Sequence, residues 1–188
     1  MSRHGSPEVD GVTMTETDND FELVVEYDEQ FAEQVERGQT NPLAGLSLRV
    51  GEYDLTGAPE DQFYIDDYMF FNFRKLLGAV EGVVDGHQQE ITFYNIPVDL
   101  VLDPNDDAVY VSLLNVRGKR ENDDVPEVGI PISKAALIAG LVDAAEEFHE
   151  KVIQTNPELE DSEHMQSLRE HIENAEQMFG EVSETDSA

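Results

Sequence analysis

The chain has 188 residues, in which 42 Asp and Glu face 11 Lys and Arg, for a formal net charge of −31. It contains no cysteine, which excludes disulfides, thiolate nucleophiles and cysteine-based zinc sites. No run approaches the roughly 18 apolar residues of a membrane helix, and hydrophobic residues at 39% are too many for a wholly disordered chain.

Residues 1–20 lack the apolar core of a secretory signal, and their Ser, Thr, Gly, Asp and Glu read as a disordered acidic leader. In 21–27, Phe21, Leu23 and Val25 alternate with Glu22, Val24 and Glu26, the period of a strand with one buried face. A short helix is expected next, capped by Asp28, with Phe31 and Val35 on one face and Gly38 at its end. Residues 46–50 read as a second strand, Gly51 as a turn before 53–55, and 56–61 as a loop.

The strongest periodicity lies in 65–85, where Met69, Phe70, Phe73, Leu76, Leu77, Val80, Val83 and Val84 recur at three- and four-residue spacing. This predicts one amphipathic helix with a wide apolar face, with Asp66 and Asp67 in a first turn that favours acids. Gly78 and Gly82 inside it cost about 1 kcal/mol each against alanine, so a close neighbour is expected there, with Gly86 as the C-cap. Strands follow at 89–94, 96–102, 108–116 and 125–132, joined by a tight turn at 103–107 and a charged connection at 118–124. Connections this short imply an antiparallel meander.

Two helices close the chain. Ser133 caps the first, whose Leu137, Ile138, Leu141, Val142, Ala145, Phe148 and Val152 form an apolar face up to Asn156 and Pro157. The second starts near Asp161 or Ser162 and carries Met165, Leu168, Ile172, Ala175 and Phe179 as a narrower stripe ending at Gly180. The order of elements predicts an α+β fold. Its antiparallel sheet of five or six strands packs on the central amphipathic helix, with a C-terminal αα-hairpin at 133–180. The domain spans 21–180, and 181–188 read as a disordered tail.

A charge of this size self-repels in dilute buffer. At molar salt the Debye length falls to about 3 Å and most of the repulsion disappears. The acids are spread over every segment, and only four of the cations are Lys (Lys75, Lys119, Lys134 and Lys151). This composition resembles that of cytosolic proteins of salt-in haloarchaea, in which carboxylates hold a diffuse layer of water and monovalent cations. The resemblance is one of environment and names no family; it implies a cytoplasmic location. The even spread of acids argues against a mimic of DNA, and the acidic field opposes nucleic-acid binding.

The motifs that might carry chemistry are incomplete. Asp103, Asn105 and Asp107 open like a calcium loop, but Ala108 stands where glycine is needed and Leu114 where glutamate is needed, so a hairpin turn is expected. Glu146 and His149 have the spacing of a helical di-iron pair, and Asp161 with His164 is the nearest second pair; the further glutamates are missing. His87 has no visible nucleophile beside it, and the phosphate-loop, dinucleotide and nucleophile-elbow patterns are absent. No metal and no cofactor are therefore expected.

Two kinds of binding candidate remain. Arg117, Lys119 and Arg120 form the one basic cluster, an anion-binding candidate or a hairpin tip neutralised by Glu121, Asp123 and Asp124. Tyr64, Tyr68 and Phe71 offer aromatic surface that the helix's buried face need not cover, and exposed aromatics mark partner sites. Leu168, Ile172 and Phe179 are partner candidates along a seam that a homodimer would bury. The expectation is a non-catalytic, salt-adapted protein-interaction or regulatory module that self-associates and binds neither membrane nor nucleic acid. Its rival is a small hydrolase using carboxylates and a histidine near Tyr64 to Phe73 or His87.

Overall fold

Alternation decides the first strand, β1 (Phe21–Val25), which buries Phe21, Leu23 and Val25 and turns Glu22 and Val24 outward. The computed structural model describes residues 19–56 and 65–186. Tyr64, most of the leader and most of the 56–61 loop lie outside the described residues. Helix α1 (Glu29–Glu36) starts where predicted, the Asp28 carboxylate accepting the Phe31 N–H at 2.9 Å. Strand β2 (Leu43–Val50) is the spine of the first sheet. Antiparallel β1 lies along one side of it, and β3 (Tyr53–Asp54) and β4 (Ile65–Tyr68) share the other.

Strand β4 corrects the prediction of a single helix over 65–85. Ile65 and Asp67 are buried while Asp66 and Tyr68 are exposed, a period of two. The helical part is α2 (Met69–Gly78), then a break at Ala79, then α3 (Val80–Val84). Gly86 does close it, at φ +81. Its N–H reaches the Val83 carbonyl at 3.1 Å, and the His87 N–H reaches that of Gly82 at 2.8 Å. These two bonds make a Schellman motif, whose left-handed position favours glycine.

The second sheet is the expected antiparallel meander, β5 (Gln89–Thr92), β6 (Val98–Asn105), β7 (Ala108–Asn115) and β8 (Ile130–Ser133), paired in chain order. Strand β6 reaches Asn105, so the turn shrinks to Asp106 and Asp107, with Asp106 at φ +53. Pro104 lies beyond Leu102, where β5 stops pairing, so its missing N–H takes nothing from that ladder. In place of one sheet of five or six strands there are two of four. The reason is β4: it folds back onto β2, and α2 and α3 carry the chain away before the meander starts.

Helix α4 (Lys134–Thr155) is capped by Ser133, whose Oγ accepts the Ala136 N–H at 3.0 Å. A short 3-10 turn, Pro157–Leu159, leads into α5 (Glu163–Asp186). This helix runs through Gly180, which stays out of the left-handed conformation, so Glu181 to Asp186 are helical rather than tail. The helices α2, α4 and α5 pack on one another, and α4 also touches β1, β7 and β8. Contact with β1 is so close that a Cβ on Gly140 would overlap the Phe21 carbonyl oxygen.

One continuous core joins both sheets and the helices. Phe148 of α4 sits at its centre, stacked on Phe73 at 5.2 Å and edge-on to Phe31 at 6.3 Å. Burying each such ring stabilises the fold by about 1.5–3 kcal/mol. Among the described residues no helix is long and apolar enough to cross a membrane.

Candidate binding surface

The period of β4 drives a carboxylate into the interior. Asp67 is fully buried; its Oδ1 accepts the Tyr68 N–H at 2.8 Å and its Oδ2 accepts the Tyr94 N–H at 2.6 Å. One carboxylate thus holds two backbone positions whose side chains point outward, Tyr68 at 41% and Tyr94 at 51% exposure. The two N–H bonds supply the partners that a buried carboxylate requires.

Helix α2 has no side-chain cap of its own. Asn41 supplies one from thirty residues upstream, its Oδ1 accepting the Phe71 N–H at 3.2 Å, and the Pro42 carbonyl accepts the Met69 N–H at 3.0 Å. This start sends Phe70 into the core and leaves Phe71 half-buried, 5.6 Å from the Tyr94 ring. One turn later Arg74 lies over Phe71 at 5.4 Å and over Phe70 at 5.9 Å. The Lys75 ammonium sits 3.7 Å above Tyr94 and donates to the Thr92 carbonyl at 2.7 Å. His164 stacks on Phe70 at 4.1 Å and meets the Thr40 hydroxyl through Nδ1 at 2.7 Å.

The electrostatics of this patch run against the rest of the surface. Three ion pairs occur among the described residues, Arg37–Glu33, Arg49–Glu22 and Arg169–Glu160, and none involves Arg74 or Lys75. Two adjacent cations in a chain of net charge −31 are therefore held by aromatic faces instead of carboxylates. Beside Lys75 a cleft of about 410 Å³ opens between Gly78 and Ala79, at the end of α2, and the edge strand β5.

Of the predicted partner residues, Tyr68 and Phe71 belong to this region. Leu168 and Ile172 do not: at 0% and 6% exposure they face the core of the single chain, because α2, α3 and α4 cover that side of α5. Phe179 remains 37% exposed. Arg117 and Lys119 are exposed at the 116–119 turn, whereas the Arg120 guanidinium donates to the Pro126 and Glu127 carbonyls and braces its own loop.

Sequence reasoning missed Tyr94, Arg74 and Lys75, and it weighed His164 as a metal ligand rather than as a ring stacked on Phe70. Tyr94 follows Phe93 at the end of a predicted strand, and nothing beside it in the sequence shows that it meets α2. Arg74 and Lys75 carried a usable signal, since they are neighbouring cations in a chain with so few.

The histidine pairs hold no metal-like cluster. Among the described residues no three His, Asp or Glu are placed to share an ion. His149 borders a second cleft with Ile153, and its Nε2 is buried without a hydrogen-bond partner. Burial lowers its pKa, with Arg169 adding to the effect and Glu160 and Glu150 opposing it. Burial also raises the pKa of Glu146, helped by the charges of Glu176, Asp143 and Glu150. His87 is exposed and lines neither cleft.

No family model matches the chain, and no curated protein or solved structure matches it.

Proposed function

We propose that the chain is a non-catalytic, salt-adapted cytoplasmic module that binds another protein through Tyr68, Phe71, Arg74, Lys75 and Tyr94. The observation that carries this reading is a pair of adjacent cations, Lys75 on the exposed Tyr94 ring and Arg74 on the half-buried Phe71 ring, with no carboxylate in ion-pair range among the described residues. Tyrosine and arginine are the side chains that concentrate binding energy at protein interfaces. Both rings and cations are held in place before any partner arrives, which lowers the ordering cost of association. The sheath of acids elsewhere repels acidic neighbours, whereas Arg74 and Lys75 attract an anionic group here. Monovalent cations in the diffuse layer balance the remaining charge.

The test is capture of a partner from the cells that make the protein, at multimolar KCl, with the parent and with Tyr94→Ala plus Arg74→Ala. The parent is expected to retain a specific protein that the double variant loses while keeping its fold by circular dichroism. Equal capture by both overturns the reading.

A further inference from the structure

Strand β5 ends its sheet: β6 pairs along one side of it, and among the described residues no strand pairs along the other. The direction of its main-chain groups follows from two bonds. The Phe93 N–H donates to Val98 of the neighbouring chain segment at 3.2 Å, whereas the Thr92 carbonyl faces the other way, towards Lys75 at 2.7 Å. In an antiparallel ladder the N–H and C=O of one residue point to the same side and alternate along the strand. Glu90 and Thr92 therefore turn their main-chain groups away from β6. That side is the cleft of about 410 Å³ beneath Lys75, Gly78 and Ala79.

We propose that this cleft receives an extended peptide segment of the partner as a fifth strand of the sheet, with a peptide carboxylate against the Lys75 ammonium. The proposal rests on the protein-binding reading above and specifies its ligand. Exposed strand edges with unpaired main-chain groups recruit strands, and pockets beside the edge add side-chain specificity. The helix side of the cleft is open at Gly78, where an added Cβ would meet nothing within 4 Å. Lys75 uses one of its three donors on Thr92 and no carboxylate pairs with it among the described residues. Glu90, on the exposed face of the strand, repels an acid at its own position and so directs the peptide carboxylate to the Thr92 end.

Two variants separate this edge from the rest of the fold. Glu90→Pro removes one cleft-facing N–H and no bond to β6, the position where an edge strand tolerates proline. Gly78→Gln adds bulk on the helix side of the cleft, where a Cβ meets nothing within 4 Å. The probe is a displayed library of short random peptides, selected on the parent protein in molar KCl. An enriched peptide is expected to shift the amide resonances of 89–92, and to bind each variant about tenfold or more weakly, the worth of a lost hydrogen bond of about 1.4 kcal/mol.

If Glu90→Pro does not fold, Gly78→Gln alone decides. No enriched peptide, or one that binds Gly78→Gln as well as the parent, overturns the proposal. A peptide that is lost with Tyr94→Ala plus Arg74→Ala but indifferent to both edge variants removes the added strand and leaves the protein-binding reading standing. A dimer of the free protein that shifts the same amides assigns the edge to a second copy and likewise overturns it.

Discussion

The buried Asp67 carboxylate accepts the Tyr94 N–H at 2.6 Å and so binds the first sheet to the loop that follows β5. Removing it leaves two part-buried N–H groups without their carboxylate partner, each costing up to about 1–3 kcal/mol. Asp67→Ala is expected to destabilise the fold by about 3 kcal/mol in guanidinium titrations at high salt, and to weaken partner binding by freeing Tyr94. A loss under about 1 kcal/mol would show that solvent replaces the carboxylate.

Gly140 and Gly78 form an opposed pair. A methyl group on Gly140 drives into the Phe21 carbonyl, so Gly140→Ala is expected to cost about 1–3 kcal/mol as α4 lifts from β1. The same change at Gly78 meets open space and is expected to add about 0.5–1 kcal/mol. Thermal melts of both variants in one buffer check the opposite signs.

The Tyr27 hydroxyl is buried without a hydrogen-bond partner, and burial, then the charge of Glu147, raise its pKa far above the ordinary value of 10.0. The folded state therefore holds this proton more tightly than the unfolded chain does. Its contribution is full below pH 10.0 and is lost as pH rises beyond it. Tyr27→Phe keeps the edge contact with Phe31 and the Lys151 ammonium over the ring. It is expected to gain about 1 kcal/mol near neutral pH and to blunt the alkaline loss, read from denaturation curves on either side of the tyrosine pKa.

Salt dependence follows from the charge. With three ion pairs among the described residues, the acids are held apart by solvent rather than neutralised by Lys and Arg. The Debye length shortens from about 10 Å at 0.1 M to about 3 Å at 1 M, so the melting temperature is expected to climb steeply over that range. A flat circular-dichroism melt series from low to multimolar KCl would remove the salt-adapted reading.

What the sequence made legible is what neighbours along the chain decide. Asp28 and Ser133 start their helices with their own side chains, and the alternation of β1 needs no distant partner to be seen. Asp67 was misread as a first-turn acid because its use depends on Tyr94, twenty-seven residues away. Tyr94 and the two cations escaped for the same reason, since α2 and the loop after β5 meet only in the folded chain, whereas Tyr68 and Phe71 could be named from their local pattern. For Leu168 and Ile172, spacing reveals that a stripe is covered but not by what. Here the cover is the chain's own helices.

Residues 40 and 41 give two helices a common starting point. Asn41 completes the first turn of α2, and Thr40 holds His164 near the start of α5, so one dipeptide beside β2 serves two segments far apart in the chain. Because α2 lacks a side-chain cap of its own, the N–H groups of its first turn find their partners in the loop ahead of β2. The first turn of α2 and the start of α5 thus both depend on the loop ahead of β2 for a side-chain partner.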